Sequence, residues 1–405
     1  MGIYPRPKVL SLFSGAGGMD IGLETAGFET VGCVEIDTLA RETLRLNRPD
    51  WRLLTPTDVI DFADQLLPAS IGLTVGELSL LTGGPPCQPF STAAQWSTTG
   101  RSGMRDSRAS TIHAFLLTCE KLLPATVAIE NVLGFVSGKE SAFQTLVEGL
   151  NRINSRHGTR YALETTVLDA ADYGIPQRRR RAILTAHRDG LAIPLSPPTY
   201  TQSPVTAWDA LHDLDPGELP MPKGRWTELL SSIPEGGNYQ FLTSRGGGEE
   251  LFGYRTRYWS FLLKLAKDQP SWTLPASPGP STGPFHWDNR PLSVSEMARL
   301  QTFPQAWQFK GSYRESVKLV GNATPPLLAE IVGHAVLRSL DSGISTPNDE
   351  PKLRIARSNV PHPPANPPRP IPASYRGMVG AKRPHPGTGF GPGRAGIRDE
   401  QGAGT

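Results

Sequence analysis

Residues 83–91 read Gly-Gly-Pro-Pro-Cys-Gln-Pro-Phe-Ser and follow the apolar stretch LSLLT. Three prolines fix backbone angles and remove N–H donors, and two glycines permit close backbone approach. Such a loop holds one thiol, Cys87, at the carboxyl end of a strand, where open α/β sheets place their ligands. A thiolate there suits covalent addition to an electron-poor ring carbon. The plainer alternative is a small core cysteine, which has little need of so stiff a setting. Glu130 ends the apolar run TVAI and therefore sits at the same edge. It could protonate or hydrogen-bond a ring nitrogen, or simply pair with a neighbour. Residues 177–181 read Gln-Arg-Arg-Arg-Arg before the apolar AILTA. Four arginines before a strand fit a solvated face or a phosphate patch; alternation along an extended chain would send Arg179 and Arg181 to one side, which could face a site, leaving Arg178 and Arg180 outside for phosphates.

A second constellation lies near the N-terminus. The apolar KVLSLF runs into Phe13-Ser14-Gly15-Ala16-Gly17-Gly18-Met19-Asp20. Strand, glycine-rich turn and helix together bring backbone N–H groups close to a cofactor. The spacing is not that of a dinucleotide fingerprint, so a pyrophosphate is not the obvious ligand. Glu35 ends the next strand, where a carboxylate can accept both hydroxyls of a ribose. Asp58 ends or follows a third element, from which it could read an adenine amino group. A tight turn with two ordinary strand-end acids is the competing description.

The elements that must carry these groups alternate. Strands are expected at 8–13, 29–34, 78–81, 126–129, 163–168 and 182–185, and helices at 19–26, 38–47, 109–123 and 139–155. That order predicts an α/β fold with a mostly parallel sheet covered on both faces. After about residue 187 the chain turns irregular and rich in Pro, Gly and Trp, with one helical candidate at 258–267. The reading divides the chain into 1–189, a catalytic and cofactor-binding domain; 190–290, a smaller irregular domain; 291–341, a return to the first; and a tail, 342–405. Trp208, Trp226, Trp259, Trp272 and Trp287 are assigned to the core of the smaller domain. Helices are expected again at 293–301 and 325–340.

Composition narrows the class. The 405 residues include three cysteines and carry a net charge of +3. Residues 351–405 hold nine Lys/Arg and two Asp/Glu, a net of +7, which leaves −4 for the rest. The basic balance thus belongs to the tail, where 20 of 55 residues are Pro or Gly, and the tail is expected to be disordered. No cysteine pair has zinc-ligand spacing, so no metal is expected. Sparse cysteines fit a reducing cytoplasm. Neither a secretory signal nor a run of 18 apolar residues is read.

Taken in order, FSGAGGMD, the Glu35 strand end, GGPPCQPFS, ENV, QRRRR, RPLSVSEMARLQTFP and GNATPP resemble the DNA cytosine-5 methyltransferase family, of the prokaryotic restriction-modification type. The resemblance covers about residues 8–340, apart from most of the variable middle. It implies a Rossmann-like S-adenosyl-L-methionine-dependent methyltransferase fold with a smaller target-recognition domain at 190–290. It implies that Cys87 attacks carbon 6 of cytosine, that Glu130 holds ring nitrogen 3, and that Arg179 and Arg181 help hold the flipped base. Cofactor contacts would fall on Phe13, Gly15, Gly17, Gly18, Glu35, Ile36, Asp58, Gly84, Pro86 and Asn322. Residues 91–108 would form a loop closing over the DNA. Leu319 and Thr324 depart from the family's usual Gln and Val. Implied partners are double-stranded DNA and a cognate restriction endonuclease, with a monomeric enzyme and no membrane. An RNA (tRNA) cytosine-5 methyltransferase and a non-catalytic DNA-binding regulator of the same fold are the rival readings. Lys223, Arg225, Arg245, Arg255 and Arg257 are candidate DNA contacts, each weighed against a solvated surface charge.

Overall fold

The computed structural model describes residues 6–86, 109–137, 142–254, 259–340 and 350–376. Six strands form one sheet in the order β2 (Glu29–Val34), β1 (Lys8–Leu12), β3 (Leu80–Gly83), β4 (Thr126–Asn131), β7 (Arg180–His187) and β5 (Glu164–Asp169). β1, β2, β3 and β4 are mutually parallel, while β7 runs antiparallel to both β4 and β5. The central strands β3 and β4 are buried along their whole length and the edge strand β5 is largely exposed. This explains why the central strands read as continuous apolar runs.

Alternation sorts the strand side chains into two cores. Leu10, Leu12, Leu81, Val127 and Ile129 face α3 (Val59–Gln65), α4 (Ala109–Leu122) and α5 (Ala142–His157). Val9, Leu80, Ala128 and Ile183 face α1 (Gly18–Ala26) and α9 (Pro326–Leu340). α2 (Thr38–Asn47) follows β2 and is capped by Asp37, which accepts from the N–H groups of Leu39 and Ala40. α1 and α9 approach through small residues. A Cβ on Gly22 would lie 2.2 Å from the Pro326 carbonyl oxygen, and one on Gly333 would lie 2.7 Å from the Ala26 Cβ. This contact returns the C-terminal part of the chain to the N-terminal turn.

The second lobe has little regular structure. It contains α6 (Ala207–Leu211), several single 3-10 turns and β8 (Ser271–Trp272). β8 pairs with β6 (Gln177–Arg178), and the buried Gln177 amide oxygen accepts from the Leu274 N–H, so the start of the arginine run fastens this lobe to the sheet. α7 (Val294–Leu300) and α8 (Tyr313–Asn322) lead back to α9.

Three sequence expectations fail here. No helix forms over 259–267; Phe261 and Lys264 instead make β-bridges to Thr282 and Phe285. A short apolar run such as FLLKL fits buried extended chain as well as helix, and periodicity cannot separate the two. Trp226 and Trp287 are core residues, but Trp259 is 42% exposed and packs edge-on against Trp272 at 4.1 Å. Within the tail, 350–376 is ordered and ends in α10 (Ala373–Arg376), with Ile355, Ile371 and Tyr375 buried. Proline-rich composition pointed the other way, yet three apolar side chains at wide spacing suffice to fasten a segment that needs no core of its own. The remainder of the tail, with Arg255, Arg257 and the 91–108 loop, lies outside the described residues.

Candidate active site

The strand order reverses between β1, whose chain continues to β2, and β3 on its other side. That switch point is where open sheets bind ligands. A cavity of about 380 Å³ opens there, between the glycine-rich turn, the ends of β2, β3 and β4, and the C-terminal end of α8.

Its near wall is the turn after β1. Phe13 has φ 59°, a left-handed conformation that is unusual for a bulky side chain. The N–H groups of Phe13 and Ser14 both reach the Val34 carbonyl, which bends the chain sharply across the end of β2. Gly15 also has positive φ, and nothing lies within 4 Å of where its Cβ would be, so its bare backbone faces open space. Glu35 holds this turn. Its Oε2 accepts from the Gly15 N–H and its Oε1 from the Asp37 N–H, each at 2.7 Å. Burial raises the Glu35 carboxyl above its usual pKa despite those two bonds. Ile36 follows, 63% exposed on the cavity wall.

Gly17 and Gly18 are not among the residues lining the cavity. Gly17 begins α1 in a left-handed conformation, and a Cβ on Gly18 would lie 2.1 Å from the Thr324 carbonyl oxygen. Both serve the close seat of the turn against the late GNATPP segment. Asp58 likewise does not line the cavity; it caps α3 by accepting from the Ile60 N–H at 2.8 Å.

The far wall carries the polar chemistry. β7 is antiparallel, so its beginning lies beside the end of β4, with Glu130 opposite Ile183 and Asn131 opposite Ala182. That direction is why an arginine run preceding one strand meets an acid ending another. Arg181 Nε lies 2.9 Å from Glu130 Oε1, and both side chains are nearly buried. The approach is off the line of a hydrogen bond: among the described residues Glu130 Oε1 accepts none. Arg179, also buried, donates to the carbonyls of Gly321 and Ala323. It therefore holds the turn around Asn322, where its charge also meets the carbonyl end of α8. Asn322 itself is exposed and lines the cavity.

Gly84, Pro85 and Pro86 form the floor. Cys87 lies outside the described residues; its neighbour Pro86 is exposed to the cavity. The other two thiols are buried. Burial pushes Cys119 up to about 12 and Cys33 well above its ordinary value, so neither supplies a thiolate at neutral pH.

Three contributors escaped the sequence reading. Asn131 donates from Nδ2 to the Pro85 carbonyl at 2.9 Å and accepts from the Val132 N–H, pinning the loop that leads to Cys87. Its place beside Glu130 was the available signal. Lys318 on α8 pairs with Asp37 at 3.1 Å across the cavity rim. Asp20 is fully buried beneath the turn, and burial raises its carboxyl to about 6; nothing in its spacing marked it.

Comparison with known proteins agrees with this geometry. Residues 7–338 match the family described as C-5 cytosine-specific DNA methylase. The chain is 34% identical to the Type II methyltransferase M.SacI of Streptomyces achromogenes, across 82% of this chain and 93% of that protein. It is 34% identical to the Type II methyltransferase M.Eco47II of Escherichia coli, across 82% and 79% respectively. Among solved structures, an E. coli protein encoded within a prophage superposes with TM-score 0.59 at 23% identity, covering 82% of this chain and 99% of that one. Entamoeba histolytica EhMeth gives 0.55 at 17% identity, covering 84% and 100%. At those identities the two structures bear on the fold alone, and the fold is the α/β methyltransferase sheet expected from the sequence. With a family match spanning most of its length and a switch-point cavity lined by the residues of the family's motifs, the chain belongs to the C-5 cytosine-specific DNA methylases and is a DNA (cytosine-5-)-methyltransferase.

Proposed function

We propose that this enzyme methylates a flipped cytosine in a specific duplex DNA site through a transient bond from Cys87, as the modification enzyme of a type II restriction-modification system. The observation that carries the site assignment is the nearly buried Glu130 carboxylate. It lines the cavity beside Arg181, and among the described residues its Oε1 accepts no hydrogen bond. A buried acceptor left in that condition is costly unless a ligand completes it. The amino edge of a cytosine, or its protonated ring nitrogen 3, is such a donor.

The family relation implies S-adenosyl-L-methionine as cofactor, and the cavity fits it. The bare backbone at Gly15 gives room for close approach, and each Glu35 oxygen keeps acceptor capacity beyond its one backbone bond for ribose hydroxyls. Ile36 offers an apolar surface to an adenine ring, and Phe13, Gly84, Pro86 and Asn322 complete the walls. The bound cofactor supplies an electrophilic methyl group on a sulfonium. Gly17, Gly18 and Asp58 act in this reading by shaping the turn and α3.

The residues divide the remaining work. The Cys87 thiolate forms a bond to carbon 6, and the electron pair displaced in the ring makes carbon 5 nucleophilic. Glu130 binds at nitrogen 3 and stabilises the charge that develops there. After carbon 5 is methylated it loses its proton, and Cys87 departs as the ring regains aromaticity. Taking the base from the stack costs a few kcal/mol, offset by Glu130 and Arg181, with Arg179 keeping the Asn322 turn in place. The second lobe faces the DNA and reads its sequence. Arg225 and Arg245 are exposed there, each over an aromatic ring of the same lobe (Trp226 and Tyr254). Lys223 is exposed nearby in sequence. The enzyme works as a monomer in the cytoplasm, alongside a cognate endonuclease. Among the described residues no helix is long and apolar enough to cross a membrane.

Purified protein given unmethylated duplex DNA should place 5-methylcytosine within one short recurring sequence when modified bases are mapped. Methylation of tRNA with none of DNA would favour the RNA enzyme, and binding without transfer would favour the regulator. Asn131→Ala should lower the rate about tenfold or more through loss of the Pro85 contact, on the scale of a misplaced reacting group. A rate within twofold of wild type would remove Asn131 from the positioning machinery.

A further inference from the structure

The second lobe contains two separate apolar cores. One lies at the seam with the catalytic part, where Leu211, Leu265 and Trp287 meet Leu300 of α7 and Val317 and Val320 of α8. The other is distal and is built on Trp226, Leu230, Tyr239, Phe252 and Phe261. Isolated β-bridges of Phe261 to Thr282 and of Lys264 to Phe285, with the Leu265 N–H bonded to the Phe285 carbonyl, join them. The segment 350–376 touches the catalytic part and both cores in turn. The buried Glu330 carboxylate on α9 accepts the N–H groups of Lys352 and Leu353 at 2.7 and 2.9 Å. Ile355 then enters the seam core. Next, the Ser358 N–H donates to Asp209 and the Trp208 indole donates to the Val360 carbonyl. At the far end, the Arg369 N–H donates to the Ser231 carbonyl, Ile371 and Tyr375 enter the distal core, and the Tyr375 hydroxyl donates to the Arg225 carbonyl at 2.6 Å.

Between Val360 and Arg369 runs 361–368, Pro-His-Pro-Pro-Ala-Asn-Pro-Pro, exposed throughout. Five of its eight residues are proline. Proline fixes φ, and the residue before each proline is confined to extended conformations. Proline-rich chain therefore behaves as a semi-rigid spacer of about 3.1 Å per residue.

We propose that residues 361–368 are a strut that fixes the distance and angle between the distal lobe, with Arg225 and Arg245, and the methyl-transfer cavity. The inference rests on the reading that this lobe engages DNA. The strut presents the DNA-facing surface in its working geometry before the duplex arrives, which removes an ordering cost from binding. Tyr375 is its distal positioning residue, since its hydroxyl holds the backbone of Arg225.

The test replaces Pro361, Pro363, Pro364, Pro367 and Pro368 together by serine, which keeps the length and both anchors, and makes Tyr375→Phe separately. For the serine variant the expected result is a DNA KM and Kd raised about tenfold, from the conformational freedom restored by five lost prolines. The kcat at saturating DNA and the cofactor Kd should stay within about twofold, and methylation at sites differing by one base pair should rise relative to the proper site. Tyr375→Phe should shift DNA affinity the same way by a smaller factor. Unchanged DNA affinity overturns the proposal. So does a fall in kcat and cofactor affinity together with a lower urea midpoint, because that pattern marks a merely structural segment. A wild-type protein that neither binds nor methylates duplex DNA would instead refute the functional reading.

Discussion

Cys87→Ala is expected to abolish methyl transfer while cofactor affinity stays within about twofold of wild type, because the thiolate acts on the base and not on the cofactor. No other thiol can replace it. Cys33 and Cys119 are buried, and burial holds both in the protonated form at neutral pH. Incorporation of labelled methyl into DNA reads the first quantity and calorimetric titration with the cofactor reads the second. Transfer at a measurable fraction of the wild-type rate would contradict a covalent mechanism. Loss of cofactor binding would mean that the loop from Gly84 onward shapes the cavity more than it shapes the reaction.

Glu130→Gln is expected to slow transfer by about 10²-fold or more, the scale of general acid catalysis. The substitution keeps the size of the side chain but removes the charge beside Arg181, whose Nε is 2.9 Å away. Arg181 is then left nearly buried without its counter-ion, which adds to the penalty. Single-turnover rates with saturating DNA isolate the chemical step, and cofactor affinity should hardly change because Glu35 carries that side of the cavity. A rate near that of wild type would make Glu130 a structural partner of Arg181 and nothing more.

Much of this site could be read in the sequence because its groups sit where single strands end. The runs before Phe13, Glu35, Gly84 and Glu130 are apolar, short and followed by a turn, so the edge they share follows from the strand order alone. The meeting of Arg181 with Glu130 depended on the antiparallel direction of β7, which no local pattern encodes. Gly17 and Gly18 also sit where a side chain would meet Leu44 and the Thr324 carbonyl, a long-range constraint that their local signature does not reveal. Asp58 also caps α3, which its position in the sequence did not signal. The ordered 350–376 segment was hidden for a different reason: its composition lacks apolar periodicity, and its order comes from anchors on distant residues such as Glu330, Asp209 and Trp226.

A bond between Cys87 and carbon 6 of the target cytosine can be trapped with a duplex carrying 5-fluorocytosine at the mapped position. Fluorine cannot leave carbon 5 as a proton does, so an adduct that has formed should persist through denaturation. The expected result is a cofactor-dependent complex that survives denaturing electrophoresis, with the added mass on the peptide containing Cys87. Absence of any such complex, under conditions where the unfluorinated duplex is methylated, would contradict that bond.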